Sequence, residues 1–330
     1  VRTAVVIGNG NVALDVARVL LQPPDRLRPS DIDGKALTAL QRSSNERAFL
    51  LGRRGPAQGA YSAKELEEID EVEGIQLIIS KEDATLDAGS AKWREEKGSK
   101  GKQRSVRFLN ECAGRKPESG NRQFVCRFLV SPVEFLGEGR VQGVRVEHME
   151  LHADENGDMR PKGTGRFEDI ACELVLTSVG YRGDELPGVP INTKNGSVPN
   201  DGGRVQEAPG GEIRIGHYAV GWSKRGPSGI IGTNMADSRD TVVLMAEDQA
   251  QSRVLQPSSD SDPEPAGDIL DMLQARGIDV ATWADWEKVN TWELEEGKKR
   301  GKLRHKLSRV DTMMEVVQQL RRHASAPREG

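Results

Sequence analysis

At 330 residues the chain is long enough for about two domains with a sizeable buried core. Charged residues make up 30% of it, hydrophobic ones 36%, and the net charge is −4, which excludes bulk attraction to nucleic acid or to an anionic membrane. Its cysteines, Cys112, Cys126 and Cys172, show no Cys-x-x-Cys spacing, so neither a disulfide framework nor a zinc site is expected. No apolar run approaches the ~18 residues of a transmembrane helix, and no basic or apolar leader opens the chain. There is no starting Met, and an apolar strand pattern follows almost at once; the expectation is that an upstream portion has been removed or that this is a piece of a longer protein.

In chain order, an apolar run from Ala4 to Ile7 leads into Gly8-Asn9-Gly10-Asn11-Val12-Ala13, a Gly-x-Gly-x-x-Ala pattern. Beyond it Val12, Val16, Val19 and Leu20 recur at helical spacing, while Asp15 and Arg18 face away. This reads as strand, tight turn, helix. Such a turn brings backbone N–H groups and a helix N-terminus up to a pyrophosphate; the alternative is a turn that only packs helix on strand. Gln22-Pro23-Pro24-Asp25 stops the helix, and a second helical pattern spans Ala36 to Gln41.

The next strand, Arg47 to Leu51, closes on Gly52-Arg53-Arg54-Gly55-Pro56. In a dinucleotide fold an acidic residue at this strand end selects NAD, and an arginine accommodates the 2′-phosphate of NADP. Arg53 and Arg54 favour NADP, because guanidinium groups match phosphate in a bidentate fork. They stand much further on than the usual ~20 residues after the glycines. A longer crossover through residues 23–45 accounts for that, and two solvated loop arginines are the alternative.

Ser62-Ala63-Lys64-Glu65 matches a capping box opening a helix to about Glu71, with Leu66 and Ile69 inward and Glu65 bonding back to the Ser62 amide. From Ser80 to Ser105 the sequence turns polar. Its basic, glycine-containing part, Lys97 to Arg104, is expected to be a mobile surface loop, either solvated or docking an acidic partner. No aromatic is interleaved there, which argues against single-stranded nucleic acid. Strands follow over 124–129, 133–136 and 141–148, so a β-meander fills the crossover. A buried strand, Cys172 to Gly180, closes the first domain near residues 180–183.

The remainder begins with a turn-rich loop, 187–211, whose Asn195-Gly196-Ser197 sequon reads as a chance match. A short strand at 213–216 leads to the glycine-rich segment 221–233 and a helix to about Ser252. Glycines before a helix start mean close backbone approach. A planar ligand with an electron-rich edge suits that helix end, with Trp222 either stacking on it or simply packing. A Ser/Asp/Pro-rich linker (256–268), a helix to Arg276, and a helical stretch whose Trp283, Trp286 and Trp292 are expected to anchor the last layer come next. A basic run (298–306) and a helix over 311–322 end the chain. Nothing resembles a Ser/His/Asp or Cys/His constellation, so no catalytic side chain and no metal site is expected.

Three motifs in order, Gly-Asn-Gly-Asn-Val-Ala-Leu-Asp-Val-Ala-Arg, Leu-Gly-Arg-Arg-Gly-Pro and Gly-Trp-Ser-Lys-Arg-Gly-Pro-Ser-Gly-Ile-Ile, with Asp285-Trp286-Glu287-Lys288 in the tail, resemble the adrenodoxin reductase or mitochondrial-type ferredoxin–NADP reductase family over nearly the whole chain. The resemblance implies an α/β fold: a Rossmann-like NADP domain with a β-meander crossover, residues 1–181, and the C-terminal part of an FAD-binding Rossmann-like domain with a helical extension, residues 182–330. It implies that Asn9, Gly10, Asn11 and Val12 form the pyrophosphate turn, that Arg53 and Arg54 hold the 2′-phosphate, and that Glu65 serves the NADP site. Trp222, Gly229, Ile230 and Ile231 match the flavin-contacting segment, Gly229 also lying near the nicotinamide.

The implied function is electron transfer from NADPH through FAD to a ferredoxin- or adrenodoxin-type iron–sulfur protein of acidic character, met near residues 97–104. The implied location is the mitochondrial matrix, or the cytoplasm for a bacterial source. The family's N-terminal FAD-binding half does not match this chain. The alternatives are a non-catalytic NADP-binding or interaction module, or another flavoprotein reductase with two nucleotide sites; a disulfide reductase would need a redox-active Cys-x-x-Cys.

Overall fold

The computed structural model describes residues 1–229, 231–255 and 269–325; the linker expected at 256–268 lies outside them. Two compact units divide the chain, residues 1–179 with 280–330, and residues 180–279.

In the first unit β1 (Thr3–Ile7) is followed by α1 (Asn11–Leu21), the short α2 (Pro24–Leu27) and α3 (Gly34–Arg42) before β2 (Arg47–Gly52). These extra helices are the longer crossover expected from the sequence. Then come α4 (Ala63–Asp70), β3 (Ile75–Ile79), α5 (Lys81–Ala84), α6 (Ala88–Lys97), α7 (Lys100–Cys112) and β4 (Arg122–Phe128). A meander of β5 (Val130–Leu136), β6 (Gly143–Ala153) and β7 (Met159–Ala171) leads to β8 (Leu174–Thr177). Strands β3-β4-β2-β1-β8 form a five-stranded parallel sheet in that order.

Alternation along the central strands assigns the two faces. Val6, Ala48 and Leu50 point into a core with Leu14 and Ala17 of α1, Leu66 of α4 and Leu109 of α7. Val5, Ile7 and Leu51 instead meet Val130, Val144, Val146 and Ile170 of the antiparallel meander. Apolar residues on both faces are what a covered parallel sheet requires. The buried side of α1 is Ala13, Leu14, Ala17 and Leu21, one residue round from the expected stripe, and Val12 is exposed. All three cysteines are free and buried.

The expected mobile loop at 97–104 is instead the junction of α6 and α7. Ser99 caps α7, its side chain accepting from the Lys102 amide. The basic side chains are largely engaged within the fold: Lys97 with Asp158 at 3.0 Å, Lys102 with backbone carbonyls, Arg104 with Glu67. Few apolar residues mark α6, so its period was hidden.

The second unit holds an antiparallel sheet of β9 (Asn200–Asp201), β10 (Arg204–Gln206) and β11 (Ile213–Tyr218), then α8 (Gly221–Arg225), α9 (Ile231–Ala250) and α10 (Ile269–Ala275). Asp248 of α9 fastens the sheet, accepting from Arg204 at 2.7 Å and the Tyr218 hydroxyl at 2.9 Å.

The helices α11 (Trp283–Lys299) and α12 (Val310–Ser325) belong by contact to the first unit, although the sequence boundary at residue 181 groups them with the second. The reason is local: Lys302 Nζ donates to the Ile32 carbonyl at 2.5 Å, and Lys306 pairs with Asp31 at 3.3 Å. Of the three tryptophans, Trp292 alone joins the apolar cluster of Val289, Leu307, Val316 and Val317. Trp283 and Trp286 do not anchor this layer; they are 70% and 49% exposed and stack on each other at 4.7 Å.

Asp285 fixes this pair of helices. It completes a capping box with Thr282 and accepts two bonds from Arg321, which hold its carboxyl far below the usual carboxylate range. A depressed acid contributes stability that is complete above its unfolded pKa, near 4, and is lost as the pH falls through the lowered value. Asp285→Asn is expected to cost about 1.5–3 kcal/mol at neutral pH, because it removes the charged acceptor of two Arg321 hydrogen bonds. Thermal melts of both proteins against pH check this: the gap should close in acid, and a pH-independent gap would remove the ion pair as its cause.

Candidate functional site

The parallel register Ile7↔Leu51 sets the residues after β1 beside those after β2. β1 is also where the strand order reverses, β2 lying on one side and β8 on the other. The ends of such strands are where α/β sheets bind ligands.

Gly8 sits at φ +126°, and a Cβ there would lie 2.1 Å from the Ser178 carbonyl oxygen, so only glycine lets the turn pass β8. Gly10 is the N-cap of α1 and supplies no side-chain cap. A Cβ on Gly10 would meet only Ala60 Cβ, at 3.9 Å. The fold itself therefore does not demand glycine at this position, but a ligand approaching the bare helix amides would.

The segment after β2 is tied to the turn. The Ala60 N–H donates to the Asn9 carbonyl at 3.0 Å, and the Ser62 N–H to Asn11 Oδ1 at 2.8 Å. Among the described residues Asn9 Nδ2 is buried with no hydrogen-bond partner, and an orphaned buried donor at such a turn suits an acceptor supplied by a ligand. Glu65 does not bond back to the Ser62 amide, because Asn11 occupies that donor. Its Oε2 accepts from the Ser62 hydroxyl at 2.5 Å, and the hydroxyl oxygen in turn accepts from the Glu65 amide at 3.3 Å.

Arg53 is exposed and Arg54 half-buried. Among the described residues neither guanidinium has a hydrogen-bond or ion-pair partner, although this chain pairs most of its arginines. Burial, then the charges of Arg53 and Arg160, hold Arg54 below its ordinary pKa. Burial and then Arg54 do the same to Lys102. The two guanidinium groups, Arg53 and Arg54, without a partner among the described residues at the end of β2, suit a multiply charged anion. Sequence reasoning missed Lys102, because a residue assigned to a mobile loop carries no direction.

In the second unit Trp222, the second residue of α8, is 50% exposed, and its ring lies 5.7 Å from the Tyr181 ring. Asp237 of α9 holds this segment, accepting from the Gly221 N–H at 2.5 Å and pairing with Lys224 at 2.9 Å. Gly229 takes φ +91° just ahead of α9, which Ile231 begins; Ile230 lies outside the described residues. A half-exposed indole and a left-handed glycine before a 20-residue helix fit the edge of a flat ligand. Among the described residues no group of three or more potential metal ligands gathers, and no helix is long and apolar enough to cross a membrane.

A parallel sheet whose strand order reverses at a bare helix N-terminus, with unpaired arginines at the next strand end, defines a dinucleotide-binding α/β protein. No family model matches the chain. It is, however, 37% identical over 313 residues to the NADPH-ferredoxin reductase FprA of Mycobacterium tuberculosis, covering 95% of this chain and 67% of that protein. It is 35% identical over 328 residues to the human mitochondrial NADPH:adrenodoxin oxidoreductase, covering 96% of this chain and 64% of that protein. The solved structure of M. tuberculosis FprA in complex with NADPH superposes with a TM-score of 0.83 at 35% identity, over 96% of this chain and 68% of that one. The chain belongs to the NADPH–ferredoxin (adrenodoxin) reductase family, and it spans about two thirds of the length of these relatives.

Proposed function

We propose that the chain carries the NADPH-binding portion and part of the flavin-facing portion of an FAD-dependent NADPH:ferredoxin oxidoreductase. The single observation that carries this is the geometry around β1: the uncapped N-terminus of α1, the orphaned Asn9 amide and the unpaired Arg53 and Arg54 meet at the strand-order reversal. The proposed pyrophosphate contacts are Asn9, Gly10, Asn11 and Val12. Arg53 and Arg54 hold the 2′-phosphate, and Glu65 orients the neighbouring segment through Ser62.

FAD, when bound, supplies the redox chemistry that takes an electron pair from NADPH and passes single electrons on. This chain's residues bind and orient: Trp222 offers a planar face, the backbone at Gly229 and at the start of α9 approaches the ring system, and Ile230 and Ile231 are assigned to the same contact by the family motif alone. No side chain is assigned an acid, base or nucleophile role. We propose residues 1–181 as the NADP domain and 182–330 as FAD-domain sequence with its helical extension, the extension docking back onto the first unit.

The proposed electron acceptor is an acidic ferredoxin- or adrenodoxin-type protein. Lys100, exposed on α7 and without an ion-pair partner among the described residues, is the cation of that region best placed to meet it, with Arg107 beside it sharing its charge with Glu111. Relatives named mitochondrial support a mitochondrial location for a eukaryotic source, for which we propose the matrix; for a bacterial source we propose the cytoplasm. The test is NADPH titration of the chain, followed by an assay of NADPH-dependent ferredoxin reduction with FAD supplied. Binding of NADPH without flavin-dependent turnover would favour the NADP-binding module; absence of NADPH binding would remove both readings.

A further inference from the structure

Lys102 does something other than present charge to solvent. It reaches inward from the first turn of α7, its ammonium 5.5 Å from the Tyr61 ring centre, and donates to the carbonyl oxygens of Gly59 and Tyr61, the latter at 3.3 Å. Each carbonyl belongs to the same peptide unit as the N–H of the next residue, and in a trans unit the two point to opposite sides. The N–H partners of these units are those of Ala60 and Ser62, which donate to the Asn9 carbonyl and to Asn11 Oδ1. One cation thus grips two peptide planes from one side while the glycine turn is held from the other. A positive charge on a carbonyl also polarises the amide and strengthens donation by its N–H.

We propose that Lys102 is a positioning residue for the pyrophosphate turn: by clamping the Gly59–Ala60 and Tyr61–Ser62 peptide units it holds Asn9 and Asn11, and with them the N-terminus of α1, in the form that receives a dinucleotide. This rests on the dinucleotide reading of the turn. It assigns Lys102 a role distinct from that of Arg53 and Arg54, because a clamp on the pyrophosphate turn is indifferent to the 2′-phosphate. A basic run at the surface thereby gains a member that works on the inside.

The experiment compares the chain with its Lys102→Met and Lys102→Arg variants. In the ligand-free protein, amide hydrogen exchange at Ala60 and Ser62 is expected to speed up about tenfold in Lys102→Met, the loss of one charged hydrogen bond. Affinities for NADP⁺ and NAD⁺ should fall by the same factor, that for 2′-AMP should stay unchanged, and Lys102→Arg should restore most of both readouts. Unchanged exchange at both amides overturns the clamp, as does a loss shared by NADP⁺ and 2′-AMP but not NAD⁺, which would make Lys102 a phosphate ligand. Should Lys102→Met not fold, amine modification of Lys102 in the unsubstituted chain decides: protection by NADP⁺ and NAD⁺ supports the proposal, and protection by 2′-AMP alone overturns it. If the chain binds no dinucleotide at all, the site reading fails, and the exchange readout still decides the clamp.

Discussion

Replacing Arg53 and Arg54 by Ala is expected to weaken NADPH binding by about 1.5–3 kcal/mol for each charged hydrogen bond lost, with NADH binding nearly unchanged. The structure makes the comparison clean, because neither guanidinium holds any part of the fold together. The variants should melt no lower than the parent. Removing a cation whose charge lowers its neighbour's pKa relieves repulsion in the absence of ligand. Titration with NADPH and NADH checks the selectivity, and equal losses for the two dinucleotides would refute the selector role.

The second large effect concerns Gly8. Gly8→Ala forces a left-handed non-glycine residue and drives its Cβ to within 2.1 Å of the Ser178 oxygen. Strain and overpacking together should cost about 3 kcal/mol or more. Gly10→Ala is the contrast, at an ordinary φ of −102° with its nearest new neighbour 3.9 Å away. It should leave the melting temperature almost unmoved while obstructing the dinucleotide. Measuring melting and NADPH affinity on both variants separates a glycine that the fold needs from one that the ligand needs. A Gly10→Ala protein that binds as tightly as the parent would end the claim of backbone approach at that position.

The parallel core was legible because its residues say the same thing at several levels. Apolar runs at 4–7 and 47–51 are bounded by glycine turns, and Val144 and Val146 alternate with Arg145 and Glu147 in the meander. The second half of the site was harder. Arg53 and Arg54 could be placed at a strand end, but their lack of partners could not be read from sequence, since pairing is decided by what the other strands and helices bring near. The junction of α6 and α7 misled because polar helices with few apolar residues look like loops until a cap such as Ser99 is given weight. The tryptophans of α11 misled in the opposite direction: large aromatics suggest anchorage, yet two of them satisfy each other by stacking at the surface. The capping box at Ser62 was visible as a motif, whereas Asn11, a residue from another turn, took the amide that the motif reserves for Glu65.

The unpaired guanidinium groups at the end of β2 have a consequence for how the protein behaves in a tube. A surface site that concentrates like charge without ligand is under electrostatic pressure, and a small anion that binds there relieves it. By linkage, an anion bound to the folded form at a hundred times its dissociation constant adds about 2.7 kcal/mol to apparent stability. The ligand-free chain is therefore expected to melt higher in phosphate than in chloride of equal ionic strength, and to lose that difference when Arg53 and Arg54 are replaced. The choice of buffer salt is then part of the folding equilibrium, and preparations in different salts would differ in stability with no change in sequence.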